Sequence, residues 1–423
     1  MQKDKNQASI HMPWNPTLYA ILKVIAKGVR RHFKVKESIS PEFKEQLKNG
    51  PMIIVCNHAS NLDFAYFLAP FKKERVNFVV AENMKYSSKL FAFLFKHYHI
   101  IHKKQFYADL SCIKNIKKYL DDGINVIICP EGKETSDGQT SVILPSIIRL
   151  LKMMGYPVGS IKIHGTGLIE PKWGKSTRKG PSETNCDMLF SVEDLKNKSN
   201  EELYNLLMER LSFNEHEYQI SNGYTYKGKQ FAEGLQNILY KCPVCGSEFK
   251  IKAEEDIMTC EECVSRFRYN NTGIIESLDG KDIPNRIDLW SNKEKIFILK
   301  EIKNDNFFME DDVELLMENE KENGYSYITN GHIFMDKKKL IFDAEEIDEN
   351  NIKYLLKNDL NGLEQLKNAL KHMEFDLKNY SSIANIPGYS IDMCDGNHAY
   401  RFVVKSRPSS AKYALVIEAL ARE

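Results

Sequence analysis

The stretch Ile53-Ile54-Val55-Cys56-Asn57-His58-Ala59-Ser60-Asn61-Leu62-Asp63 decides the reading of this chain. Its first four residues, apolar and mostly β-branched, predict a short buried strand that runs into a polar loop. Ser60 followed three residues later by Asp63 is a capping-box pattern, so a helix is expected to start here and His58 to stand on the turn before it. From that helix the Asp63 carboxylate reaches back to one imidazole nitrogen and leaves the other free to take a proton. A hydroxyl is a poor nucleophile until its proton is being removed, and a histidine so placed meets that need. The carboxylate fixes the tautomer and stabilises the imidazolium, as in a serine-protease triad, with a substrate hydroxyl in place of the serine. A lone His–Asp pair at this spacing also fits a capped helix with an incidental histidine, so the surrounding string matters.

About seventy residues on, the apolar run Asn125-Val126-Ile127-Ile128-Cys129 delivers Pro130-Glu131-Gly132. The string N-H-x-S-x-x-D at a strand's end resembles the first motif of the lysophospholipid acyltransferase family, which includes the 1-acylglycerol-3-phosphate acyltransferases. Pro130-Glu131-Gly132 resembles that family's F-P-E-G-T-R-S block, which holds the acceptor's phosphate. Ile143-Leu144-Pro145-Ser146 and Pro157-Val158 continue the likeness, which covers roughly residues 50–180. The resemblance implies an α/β core of the glycerolipid-acyltransferase type, with His58 and Asp63 catalytic. It implies Asn57, Ser60, Glu131 and Gly132 at the substrate. The donor would be acyl-CoA or acyl carrier protein, the acceptor 1-acylglycerol-3-phosphate and the product phosphatidic acid.

The chain departs from the family at the phosphate. Lys133-Glu134-Thr135 stands where the family has Thr-Arg-Ser, so an acid replaces an arginine that would clamp phosphate bidentately. The family's second motif, a strand ending in arginine, is here Ile100-Ile101-His102-Lys103-Lys104. If phosphate is still recognised, Lys133 is expected to supply the contact, helped by Lys103 or Lys104, with Glu134 turned outward or paired to a base. The basic loop Pro171-Lys172-Trp173-Gly174-Lys175-Ser176-Thr177-Arg178-Lys179 is a further candidate, expected rather as a solvated surface loop. The rival acceptors are another lysolipid or an alcohol without phosphate. A non-enzymatic lipid-binding or scaffold protein is the rival outside the enzymes, though a scaffold has no need of a base and its orienter.

Cys242-Pro243-Val244-Cys245 and Cys260-Glu261-Glu262-Cys263 are separated by fourteen residues. Two such turns place four thiolates around one tetrahedral ion, with Gly246 relaxing the first turn. Four cysteines saturate zinc, so the site reads as structural, and a looser likeness to a bacterial subgroup with an appended zinc ribbon extends to about residue 275. The segment Lys250–Asp256 carries three acids against two bases, no basic excess, which points to docking of a protein partner or spacing of domains rather than to nucleic acid.

At 423 residues, with 42% hydrophobic and 28% charged residues, the chain is long enough for two or three folded domains. Its net charge of +1 gives no global field that would argue for nucleic acid. The five cysteines outside the two pairs are scattered, which suggests a reducing cytoplasm. No uncharged apolar run reaches the ~18 residues of a membrane-spanning helix, so any bilayer contact is expected to be peripheral, on the inner face of the cell membrane. Asn15-Pro16 reads as a helix start, followed at helical spacing by Leu18, Leu22, Ile25, Val29 and Phe33. Six Lys/Arg and no acid lie between Lys23 and Lys36. Such a helix either lies in an anionic headgroup layer or packs on its own domain with a basic face in water.

The expected organisation is a basic amphipathic helical segment over 1–47, an α/β domain over 48–185 and a helical connector over 186–240. A four-cysteine ribbon follows over 241–275, then an α+β unit over 285–423. In the last unit Ile333–Met335 and Leu340–Phe342 are expected to pair as a hairpin, Asp395-Gly396-Asn397 to turn, and Pro408-Ser409-Ser410 to cap a helix through Tyr413, Ile417 and Leu420.

Overall fold

The computed structural model describes residues 16–86, 89–104, 109–319, 322, 324–356, 362–396, 398–405 and 407–422. Residues 1–15, with the Asn15 cap, and Asn397 of the expected turn lie outside them.

The apolar runs supply the central strands of one seven-stranded sheet, whose members are β1 (Lys36–Ile39), β2 (Ile53–Cys56), β3 (Val76–Ala81), β4 (Ile101–Lys103), β5 (Asn125–Ile128), β6 (Val158–His164) and β7 (Glu183–Phe190). Their order is β1-β7-β6-β2-β5-β3-β4. β6, β2, β5, β3 and β4 run parallel, and β7 is antiparallel to β6. β2 is apolar throughout because both of its faces are covered. Ile53 and Val55 join one buried cluster with Ile116, Leu120 and Ile148, whereas Ile54 and Cys56 join another with Phe43, Tyr66 and Phe71. In a parallel sheet every strand delivers its following loop to the same edge, and ligands bind outside those carboxyl ends. The loops after β2, β5 and β6 therefore converge.

Two strands escape a reading by apolar runs. β1 has the sequence Lys-Glu-Ser-Ile and sits at the sheet's edge, where one side meets solvent. β7 alternates polar and apolar residues and runs across the boundary expected at 185/186. The helices that follow, Val192–Asn197 and Asn200–Leu211, pack back on the sheet through Leu195, Leu203, Leu207 and Leu211.

The cysteine-rich segment folds as a four-stranded antiparallel sheet, β8 (Ile251–Glu254), β9 (Ile257–Cys260), β10 (Arg266–Tyr269) and β11 (Ile275–Ser277). Its Met258, Phe267 and Tyr269 share one core with Leu168, Ile169 and Trp173 of the first unit. The loop 171–179 is thereby anchored, contrary to the expectation of a solvated loop. Trp173 is buried, and the Arg178 guanidinium lies 4.6 Å over Phe231 and 5.1 Å over Trp173 while donating to the Phe231 carbonyl.

The last unit is a seven-stranded antiparallel sheet, β12 (Met309–Asn319), β13 (Gly324–Met335), β14 (Lys339–Ala344), β15 (His372–Asp376), β16 (Ala384–Ile386), β17 (Ser390–Cys394) and β18 (Ala399–Val404), ordered β15-β14-β13-β12-β18-β17-β16. The expected hairpin forms, with Ile333 opposite Phe342 and Met335 opposite Leu340. The helix Ser410–Leu420 buries Tyr413 and Ile417, but Ser409 does not cap it; its hydroxyl donates instead to Asp311 at 2.8 Å. The same helix buries two charges. Lys412 pairs with Glu248 and Glu301 at 2.8 and 2.9 Å, and Glu418 pairs with Lys133.

The helix Pro16–His32 packs Leu22, Ala26 and Val29 on its own domain. Ile25, expected on that face, is 51% exposed and forms a second apolar stripe with Ile21 and Val24. Among the described residues no helix is long and apolar enough to cross a membrane.

Candidate active site

At the end of β2 the side chain of Asn57, fully buried, brackets the neighbouring strand: its amide donates to the Ile163 carbonyl and accepts from the Ile163 N–H, both at 2.8 Å. That double bond fixes where the chain leaves the sheet, and so where His58 stands. The His58 Nδ1 lies 2.9 Å from the Asp63 Oδ2. The same oxygen accepts the N–H groups of Ala59 at 2.7 Å and Ser60 at 3.1 Å. An ionised carboxylate only accepts, so Nδ1 carries the proton and Nε2 is left as the base. The Asp63 side chain is 1% exposed, His58 29%, so the carboxylate is dry while the imidazole is partly open to solvent.

The capping box is only half made. Asp63 caps the Ser60 backbone, but the Ser60 hydroxyl accepts from Leu62 rather than from Asp63, and itself donates to Glu170 at 2.8 Å. The helix runs only from Asp63 to Phe67, so its first residue serves the histidine before it serves the helix. Burial of the ring lowers the His58 pKa, but the hydrogen bond and charge of Asp63, with the charges of Glu134 and Glu131, outweigh it. The imidazole titrates above its ordinary value.

The loop after β5 closes on this turn. Thr135 donates its backbone N–H to the His58 carbonyl at 3.1 Å. Glu131, 3% exposed, accepts from the backbone of His58 at 3.2 Å and of Ser141 at 2.6 Å, so its carboxylate ties the two loops together. Burial pushes this carboxyl up to about 8 against those two donors. Gly132 turns at φ +69°, a left-handed conformation that glycine adopts without penalty. Lys133 points to the C-terminal unit, where it meets Glu418; both side chains are 10% exposed. Glu134 is not turned outward. One of its carboxylate oxygens is buried without a hydrogen-bond partner. Burial raises its pKa against the charges of Lys172 and His58.

With this geometry in place, the comparisons fall on the same segment: residues 37–164 match the family model described as Acyltransferase. This part of the chain is an acyltransferase domain. No curated protein matches the chain. Among solved structures, the chain is similar to the 1-acyl-sn-glycerophosphate (LPA) acyltransferase PlsC from Thermotoga maritima. The two are 19% identical, the match covers 45% of this chain and 80% of that one, and the TM-score is 0.34, a likeness that carries no argument about function.

The other basic candidates of the acyltransferase domain separate. β4 lies three strands from β2, about 14 Å at ordinary strand spacing. Lys103 is exposed there, and Lys104 donates to the Gly396 carbonyl of the C-terminal unit at 3.2 Å. Lys172 instead comes to the site from the loop after β6. Its ammonium donates to the Glu134 carbonyl oxygen at 3.3 Å, and burial lowers its pKa against the charge of Glu134. Three participants were not singled out by sequence. Lys172 was named only as one residue of a basic loop expected in solvent. Glu170 carried no motif, and Glu418 lies 285 residues from its partner.

The four cysteines come together as expected, all four sulfurs within 4.8 Å of one another. Cys242 and Cys263 are 3.7 Å apart and Cys245 and Cys260 3.8 Å. Zinc–thiolate bonds of about 2.3 Å in a tetrahedron require sulfurs roughly 3.8 Å apart, so this donor set fits the ion. The two turns are alike. Gly246 and Val264 each follow the second cysteine, at φ +77° and +60°, and donate to the Cys242 and Cys260 carbonyls.

Proposed function

We propose that the chain is an O-acyltransferase that moves a fatty acyl group from acyl-CoA or acyl carrier protein to the hydroxyl of 1-acylglycerol-3-phosphate, giving phosphatidic acid. The observation that carries this reading is the His58–Asp63 pair, with its tautomer set by a dry carboxylate at a strand's carboxyl end. His58 Nε2 takes the proton as the acceptor oxygen attacks the thioester carbonyl. Asp63 stabilises the imidazolium, which then returns the proton to the departing thiolate, so no acyl-enzyme is formed. Glu131 and Asn57 hold the histidine's turn. Such positioning keeps reacting atoms within attack distance.

The exposed stripe of Ile21, Val24 and Ile25, beside Lys27 and Arg31, supports peripheral attachment to an anionic membrane, on the inner face of the cell membrane. Zinc in the four-cysteine cluster is proposed as structural, since four thiolates leave no open position. The ribbon and the C-terminal unit remain candidates for a protein partner. A second reading, transfer to an acceptor without a phosphate monoester, is favoured by one observation: the buried Glu134 brings a negative charge near His58 where the family has an arginine.

Purified protein and its His58→Ala variant, assayed with labelled acyl-CoA and acyl carrier protein on a panel of lysolipids, test both. Transfer by the native chain and a loss of about 10²–10⁴-fold in the variant are expected. Equal rates would remove the mechanism.

A further inference from the structure

The lysine next to the acyltransferase's Glu131-Gly132 turn already has an anion on it. Glu418 reaches Lys133 from the C-terminal helix, 285 residues away, and the pair is nearly closed off from water. Its placement is not incidental to that helix. Six residues earlier Lys412 is pinned by Glu248 at 2.8 Å and Glu301 at 2.9 Å, so the helix is held in register over the loop. Asp392 of β17, which Arg401 holds at 2.8 Å, adds its charge near Lys172. Lys133 thus pairs with Glu418 and Arg401 with Asp392, while Lys172 lies within reach of the charges of Glu134, Glu418 and Asp392.

We infer that Glu418 is a specificity-determining residue, which tunes how strongly the acceptor site takes a phosphate monoester by competing with it for Lys133. The inference rests on the reading of the loop 131–133 as the acceptor's headgroup site. A phosphate dianion brought to Lys133 must either displace the Glu418 carboxylate or lie beside it, and two anions in a dry site repel strongly. A headgroup without that charge leaves the ion pair intact and meets no such cost. The C-terminal unit therefore biases the choice between acceptors while standing outside the reacting atoms.

The test uses the full-length chain and the Glu418→Gln and Glu418→Asp variants. Gln keeps the size and the hydrogen-bond acceptor of the glutamate but removes its charge. Steady-state assays with lysophosphatidic acid and with monoacylglycerol as acceptors read KM and kcat separately. Glu418→Gln is expected to lower KM for lysophosphatidic acid about tenfold with kcat within about twofold, and to leave monoacylglycerol unaffected. Glu418→Asp should restore the native discrimination. A Glu418→Gln chain that loses activity on both acceptors alike, or binds them as the native chain does, overturns the inference. Calorimetric binding of lysophosphatidic acid to His58→Ala with and without Glu418→Gln gives a readout independent of turnover. An unchanged dissociation constant there defeats the role of Glu418. Absence of acyl transfer by the native chain on every acceptor would instead defeat the proposed function.

Discussion

The substitution Asp63→Asn removes one charge from the site and little else. In an ordinary catalytic triad this change allows the histidine to take the wrong tautomer. Here the N–H groups of Ala59 and Ser60, at 2.7 and 3.1 Å, point at the Oδ2 position and require an acceptor in it. The amide oxygen of the introduced side chain will therefore take that place, and Nδ1–H of His58 will keep its partner. The amide NH2 falls where Oδ1 now lies, buried and unpartnered, at a cost to stability of about 1–3 kcal/mol. The catalytic loss is electrostatic. Two unit charges about 4 Å apart at an effective dielectric of 20 attract by roughly 4 kcal/mol, which is at most about three orders of magnitude in rate.

The expected fall in kcat is thus about 10²–10³-fold, with KM nearly unchanged. The pH profile carries a second signature. The base must be neutral, so native activity is lost as pH falls through the His58 pKa, which Asp63 holds above the ordinary imidazole value. Without that charge, burial lowers the pKa, and the acid limb of kcat/KM moves to lower pH. Steady-state assays of the purified variant between about pH 5 and 9, with circular dichroism to confirm folding, read both effects. A kcat within about threefold of native, or an acid limb that does not move, would refute the pairing.

Three further outcomes follow from the packing. The purified chain should carry one zinc by elemental analysis, and Cys260→Ser should lose it and loosen the ribbon to proteolysis, because metal binding and folding are coupled in so small a module. Val24→Ser and Ile25→Ser, at positions 71% and 51% exposed, should weaken sedimentation with anionic vesicles by about tenfold per residue while leaving the melting temperature unchanged. Lys295→Met should destabilise the chain by about 2–3 kcal/mol at pH 7, read by denaturant titration, because it leaves the buried Asp137 carboxylate, which Lys295 and Ser291 now bind at 2.6 and 2.7 Å, without its cation. Burial opposes ionisation of Asp137, yet those partners hold its pKa well below the usual range. Its contribution is therefore present above the ordinary carboxylate pKa, and the gap between native and variant should close as pH falls below about 4.

The residues proposed to do the chemistry were legible in the chain because they are local. His58 and Asp63 lie five residues apart beyond one strand, and each pair of cysteines lies within one turn. The strands themselves were visible where both faces are covered, as in β2 and β5, since double burial leaves an uninterrupted apolar run. Edge and mixed strands such as β1 and β7 were not, because one polar face looks like loop. Nor could local pattern tell what a charge meets. Asn57, Ser60 and Glu131 stand in the motifs as expected substrate contacts, and only the folded chain shows their partners in Ile163, Glu170 and the backbone of His58. The partners of Lys133 and Glu134 depend on the loop after β6 and on a helix near the end of the chain. Side-chain periodicity reports which face is buried. Which charge is buried against it is settled only when distant segments are packed together.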